Sequence, residues 1–138
     1  MQNYTGRGWE GKNYDNNLST KEITKIVRQR LKKEFSECKF SVRYKSFAGG
    51  SSISCALVSA PFDVFTEDLK DGYIQVNHFY IEKENIFTDK AKEVLKKVTD
   101  MFTSFNYNDS DAQIDYFSTN FYFHLEVGQW DKPFIKTA

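Results

Sequence analysis

The stretch Phe40-Ser-Val-Arg-Tyr-Lys-Ser-Phe-Ala-Gly-Gly-Ser-Ser-Ile-Ser-Cys-Ala-Leu-Val58 decides how the rest of the chain is read. Phe40, Val42 and Tyr44 alternate with Ser41, Arg43 and Lys45, and beyond Gly49-Gly50 the residues Ile53, Cys55 and Leu57 alternate with Ser52, Ser54 and Ala56. Period-2 alternation gives a strand one apolar face, so the pattern predicts two strands, 39–46 and 51–58, joined by a glycine turn. Gly49 and Gly50 supply the positive φ that a hairpin loop needs. The expected inward set is Phe40, Val42, Tyr44, Ile53, Cys55 and Leu57. The outward set carries the cations Arg43 and Lys45 among hydroxyls.

Two amphipathic helices and two further strands complete the pattern. Ser19-Thr20-Lys21-Glu22 has the form of a capping box, and Ile23, Ile26, Val27, Leu31 and Phe35 then recur at helical spacing, which predicts a helix over 20–36. Thr88 caps a second helix over 89–105, whose apolar set is Ala91, Val94, Leu95, Val98, Met101, Phe102 and Phe105. Tyr73–Ile81 is rich in β-branched and aromatic residues and reads as a third strand. Residues 117–127 alternate most cleanly and read as a fourth, with Phe121, Phe123, Leu125 and Val127 on one side and Tyr122, His124 and Glu126 on the other. Phe62–Leu69 reads as one or two helical turns. The fold class expected is α+β: an antiparallel sheet of about four strands with two main helices on one face. Residues 1–18 have no period and read as a flexible N-terminal arm, and 19–138 as a single domain.

At 138 residues the chain is long enough to bury a real core, which 13 Phe and 8 Tyr make ring-rich. Mean hydropathy is −0.60 and no apolar run spans a membrane, so a cytoplasmic protein with no membrane partner is expected. Cys38 and Cys55 form no disulfide framework and read as reduced thiols. Net charge is zero but uneven: residues 1–58 hold 11 Lys/Arg against 5 Asp/Glu, and residues 59–138 hold 8 against 14. The basic half concentrates in Lys25, Arg28 and Lys32 along the first helix and in Arg43 and Lys45 of the hairpin, a stripe suited to phosphates. A second lysine group, Lys90, Lys92, Lys96 and Lys97, lies on the second helix.

No motif commits the chain to catalysis. His78 and His124 are the only histidines, without HxH or HxxxH spacing, so no metal site is expected. Asn106–Asp111 lacks the glycine and terminal Glu of a calcium loop. Gly49-Gly50-Ser51-Ser52 lacks the P-loop lysine, although its amides suit an anion beside Arg43 and Lys45. No cofactor motif is present.

The helix Ile26–Phe35 followed by Lys39–Phe47, Gly49-Gly50 and Ser52-Ile53 resembles the large polyvalent protein-associated domain family, type 29. Asp115–Phe134 is similar to the end of such domains. The resemblance implies a small α+β domain associated with phages, conjugative elements and their hosts, and it brings no catalytic residues with it. The leading functional expectation is a non-enzymatic binding module of a phage or mobile genetic element. It would contact RNA or DNA through Lys25, Arg28, Lys32, Arg43 and Lys45. Two alternatives stand beside it: an anti-defence protein that binds a host protein, and a small-ligand binder or enzyme at the Gly49-Gly50 turn near Arg43, Tyr44, His78 and His124. Strand 117–127, if at a sheet edge, would offer a homodimer contact.

Overall fold

The computed structural model describes residues 8–67, 72–110 and 118–137. Its elements run β1 (Trp9–Glu10), α1 (Thr20–Glu34), β2 (Lys39–Phe47), β3 (Gly50–Ala60), β4 (Ile74–Val76), a 3-10 turn (Ile81–Lys83), α2 (Asp89–Thr103), β5 (Tyr107–Asn108), β6 (Tyr122–Val127) and β7 (Ile135–Lys136). The main sheet has the order β2-β3-β6-β4, with β7 beside the end of β3, and the architecture is α+β.

Local chemistry starts each helix. The Ser19 hydroxyl accepts from the Glu22 amide at 3.1 Å while the Ser19 amide donates to the Glu22 carboxylate at 3.0 Å, the reciprocal capping box. Thr88 accepts from the Ala91 amide at 3.2 Å and opens α2. Between β2 and β3 the loop is Ala48-Gly49, because Gly50 already pairs with Phe47. Gly49 carries the positive φ, +90°.

The hairpin's alternation sorts its side chains as expected. Val42, Ile53, Cys55 and Leu57 are buried, and β6 adds Phe123, Leu125 and Val127 to the same face. Ile23, Val27 and Leu31 of α1 and Ala91, Val94, Leu95, Val98 and Phe102 of α2 cover that face as one cluster. The Phe102 ring stacks on Phe123 at 4.7 Å. A fully buried side chain of this size contributes about 1.5–3 kcal/mol. Tyr44 has the predicted parity but stays 42% exposed, because it lies where α1 begins to leave the sheet.

Four expectations change. The sheet is mixed, with five strands: β2–β3 and β4–β6 are antiparallel, but β3 and β6 run parallel. The connection between β3 and β6 contains α2, and a helical return across the covered face brings the chain back in its original direction. β6 is therefore interior, so the dimer contact expected of strand 117–127 has no edge to use; Phe117 itself lies outside the described residues. The third strand stops at Val76 rather than Ile81. Asn77 ends it, its side chain accepting from the Phe79 amide at 3.1 Å and its carbonyl from the Tyr80 amide at 3.0 Å. Phe62–Thr66 is not helical: Phe65 bridges Phe87 as extended chain, and Leu69 lies outside the described residues.

The described part of the N-terminal arm is tied down. β1 pairs with β5, the Gly11 amide donates to the Asn106 carbonyl at 2.8 Å, and Tyr14 meets Tyr107 edge-on at 5.0 Å. Gly11 lies so close to the Thr103 and Ser104 carbonyls at the end of α2 that no side chain fits there. Asn106, read from sequence as part of a polar turn, is buried. Its side chain donates to the Phe121 carbonyl at 2.9 Å and accepts from the Phe121 amide at 3.2 Å, fastening the end of α2 to the start of β6.

Candidate nucleic-acid interface

With both helices on one face, the opposite face of the sheet has no helix over it among the described residues. Strand register fixes what stands on it. Lys45, Ser52 and Tyr122 form one row across β2, β3 and β6; Arg43, Ser54 and His124 form the next; Ser41, Ala56, Glu126 and Gln75 form the third. Above the first row, Phe47 stacks on Tyr122 with centroids 6.1 Å apart and planes 25° from parallel. Both rings are 41% exposed. The third row is partly roofed, since Gln129 donates to the Ser41 hydroxyl at 3.4 Å and Tyr73 donates to Glu126 at 3.1 Å.

The five cations expected to act together divide into two groups. Arg43 and Lys45 stand on the open face. Lys25, Arg28 and Lys32 belong to α1, which packs on the covered face. Arg28 reaches the outer edge of β2 and donates to the Val42 carbonyl at 2.6 Å. It satisfies a main-chain acceptor that β3 does not reach, because β2 has no strand on its outer side among the described residues. Lys25 lines a hollow with Tyr44, and Lys32 one with Phe40 and Val42, so the helix cations flank the β2 edge rather than share the open face. Lys45, Lys25 and Lys32 make no ion pair among the described residues. Arg43 lies 3.7 Å from Glu126, with 63% of its own side chain exposed. In so wet a setting the pair contributes roughly 0–1 kcal/mol, and its main effect is to orient the guanidinium.

The α2 lysines are offset locally. Lys96 pairs with Glu82 at 2.5 Å and Lys97 with Glu93 at 3.6 Å, while Lys90 lies over the Phe62 ring. The Glu82 carboxylate is held below its usual range by the Lys96 hydrogen bond. Arg30 of α1 packs 5.2 Å over Phe105. In the hairpin turn, Ser51 is engaged with Thr20 at 2.7 Å and faces the Asn120 carbonyl at 3.4 Å, so its hydroxyl is committed to joining α1 to the sheet. Ser52 is on the open face beside Lys45; Gly49 and Gly50 form the hairpin end itself.

Where β4 stops, β6 continues, and the notch between them opens a hollow of about 460 Å³. Arg43, Ser54, His124 and Glu126 enter it from the sheet, and His78 and Phe79 from the turn after β4. Arg43, His78 and His124 thus meet, whereas Tyr44 faces α1 instead. His78 is half-buried, its ring 5.1 Å from Phe123 and 4.2 Å from Phe79. Burial, and then the nearby His124, hold its imidazole below the ordinary value of 6.5. The unfolded chain therefore takes up this proton first as the pH falls, so stability drops from about pH 6.5 downwards. Urea midpoints measured at pH 7.5 and 5.5 should show that loss, and His78→Gln should reduce it.

Burial pushes the thiols of Cys38 and Cys55 up, and both cysteines are free. Cys55 is wholly inside the core and is no nucleophile. Among the described residues no cluster of His, Cys, Asp or Glu is arranged to hold a metal ion, and no helix is long and apolar enough to cross a membrane. Sequence reasoning passed over Phe47, Tyr122, Tyr73 and Glu126. The outward parity of Tyr122 and Glu126 was visible, but their neighbours on β2 and β3 follow only from the parallel register.

The family model described as large polyvalent protein associated domain 29 matches residues 18–123, most of the chain. Neither a curated protein nor a solved structure matches it.

Proposed function

The chain belongs to the large polyvalent protein associated domain 29 family, and from that premise we propose that it is a nucleic-acid-binding module of a phage or mobile genetic element. Its ligand is a single strand laid on the open face of the sheet. The observation that carries this reading is the stacked Phe47–Tyr122 pair standing beside Lys45 and Arg43 on a face with no helix over it. Exposed rings accept bases of any sequence on their π-faces, and the adjoining cations meet the phosphates. Base stacking of this kind is worth about 1–3 kcal/mol per base. A duplex offers no unstacked base to such a platform, so single strands are preferred. Lys25, Arg28 and Lys32, around the β2 edge, add attraction at longer range.

The test is a fluorescence-anisotropy titration of a labelled single-stranded 12-mer, as RNA and as DNA, against the matching duplex at several salt concentrations. Binding should favour the single strands and weaken steeply with salt, by about 0.7 in log–log slope for each phosphate contact. Absence of binding at low salt, or affinity indifferent to salt, removes the proposal.

A second reading has its own observation. β2 offers a free edge flanked by cations with no carboxylate on the strand, and Trp130, 83% exposed at a tight turn, is the type of residue that anchors a protein partner. An anti-defence protein would use these features, and retention of a host partner after nuclease treatment would favour it.

A further inference from the structure

Resting on the nucleic-acid reading, we propose that the hollow at the end of β4 cleaves single-stranded RNA, with His78 and His124 as the proton-transfer pair and Arg43 as the phosphate ligand. The hollow opens onto the same face as the Phe47–Tyr122 platform, one row along the strands. A strand lying across Lys45 and Tyr122 therefore brings its next phosphate towards Arg43 and His124. Phe79, 75% exposed at the rim, gives the following base a ring to stack on.

The groups present match one reaction class. Transesterification of an RNA phosphodiester needs a base for the ribose 2′-hydroxyl, an acid for the departing oxygen, and positive charge facing the non-bridging oxygens. A neutral imidazole of His78 takes the 2′-hydroxyl proton, and the 2′-oxygen bonds to the adjacent phosphorus. The bond from phosphorus to the 5′-oxygen breaks, and that oxygen takes a proton from the imidazolium of His124. The products are a 2′,3′-cyclic phosphate and a free 5′-hydroxyl. Atoms and charge balance with no metal, oxidant or second substrate.

The surroundings divide these roles. Packed between Phe123 and Phe79, His78 is held neutral by burial and by the neighbouring His124, which suits a base. His124 is exposed and faces solvent on the sheet, where a proton is readily regained. The Glu126 carboxylate is already engaged by Tyr73 and Arg43, so it positions the guanidinium and leaves the proton transfers to the imidazoles. Ser54, between Arg43 and His124 in the same row, offers a hydroxyl to the phosphate.

The experiment uses the full chain, in EDTA, with two labelled oligonucleotides of one sequence: all deoxyribose, or deoxyribose with a single ribose. The ribose-bearing strand should be cut once, 3′ to the ribose, leaving a terminus whose mass is that of a 2′,3′-cyclic phosphate. The all-deoxy strand should be bound and left intact. His124→Gln and His78→Gln should each slow cutting by about 100-fold or more. Their melting temperatures establish that they fold, and Lys96→Gln, on the far side of the molecule, should cut as the parent does. An intact ribose strand alongside a bound all-deoxy strand overturns the inference and leaves the binding reading standing. Cutting that persists at the parental rate in both histidine variants also overturns it. Failure to bind either strand removes the binding reading first, and this inference with it.

Discussion

Gly128→Ala is expected to destabilise the fold by about 3–5 kcal/mol, through left-handed backbone strain and overpacking together. Gly128 has φ +69°, and a Cβ there would run into the Gly72 carbonyl and crowd the Phe134 amide. Those groups are themselves bonded: the Gly128 amide donates to the Leu57 carbonyl and the Phe134 amide to the Gly72 carbonyl, each at 2.8 Å. Main chain cannot move aside as a flexible side chain can, so the end of β6 would have to part from β3. Gly49→Ala supplies the control, because its φ is +90° but nothing lies within 4 Å of the added carbon. It should cost about 1–2 kcal/mol, the backbone contribution alone. Urea denaturation of both variants measures the difference. Equal losses would mean that the Gly72–Gly128–Phe134 junction is not tightly packed.

The second large effect concerns binding. Arg43→Glu combined with Lys45→Glu should reduce affinity for a single-stranded 12-mer by at least about tenfold at 50 mM salt, and lower the salt slope by about 1 for each cation removed. The same pair of reversals at Lys96 and Lys97 should change binding little, since Glu82 and Glu93 already offset those lysines. Reversal of Lys25 and Lys32 should fall between the two, acting on association at a distance rather than on contact. Stability should hardly respond to the Arg43 and Lys45 changes, because both side chains are exposed and the Arg43 pair with Glu126 is solvated. If the α1 reversal weakened binding more than the sheet reversal, the strand would run along the β2 edge instead.

Much of the fold was legible in local pattern. The hairpin's faces follow from period 2, both helices from their caps and apolar spacing, and each of these is decided within a few residues of chain. The sheet order was not, because nothing within Phe121–Val127 specifies whether that strand meets β3 head-to-head or head-to-tail. That choice belongs to α2 and its return across the covered face. The early end of β4 had a visible signal in Asn77, which draws the chain into a turn with its own side chain.

The site divides in the same way. Arg43 and Lys45 could be placed on the open face from alternation alone. That Arg28 would turn towards the Val42 carbonyl could not, since the free acceptor exists only because β2 is the sheet edge. Glu126 is one of 19 carboxylates in the sequence, and only the parallel register of β3 and β6 singles it out as the partner of Arg43. His78 and His124 are far apart in the chain and share a hollow because β4 ends where β6 does not.

The most direct test of the open face as the binding surface is a contact map. A single-stranded RNA 12-mer photo-crosslinked to the full chain, followed by peptide mass spectrometry, reads which rings touch bases. The account predicts adducts at Tyr122 and Phe47, with Phe79 next, and none on α2. Adducts confined to α1, or to Trp130 with Tyr122 and Phe47 unmodified, would contradict it.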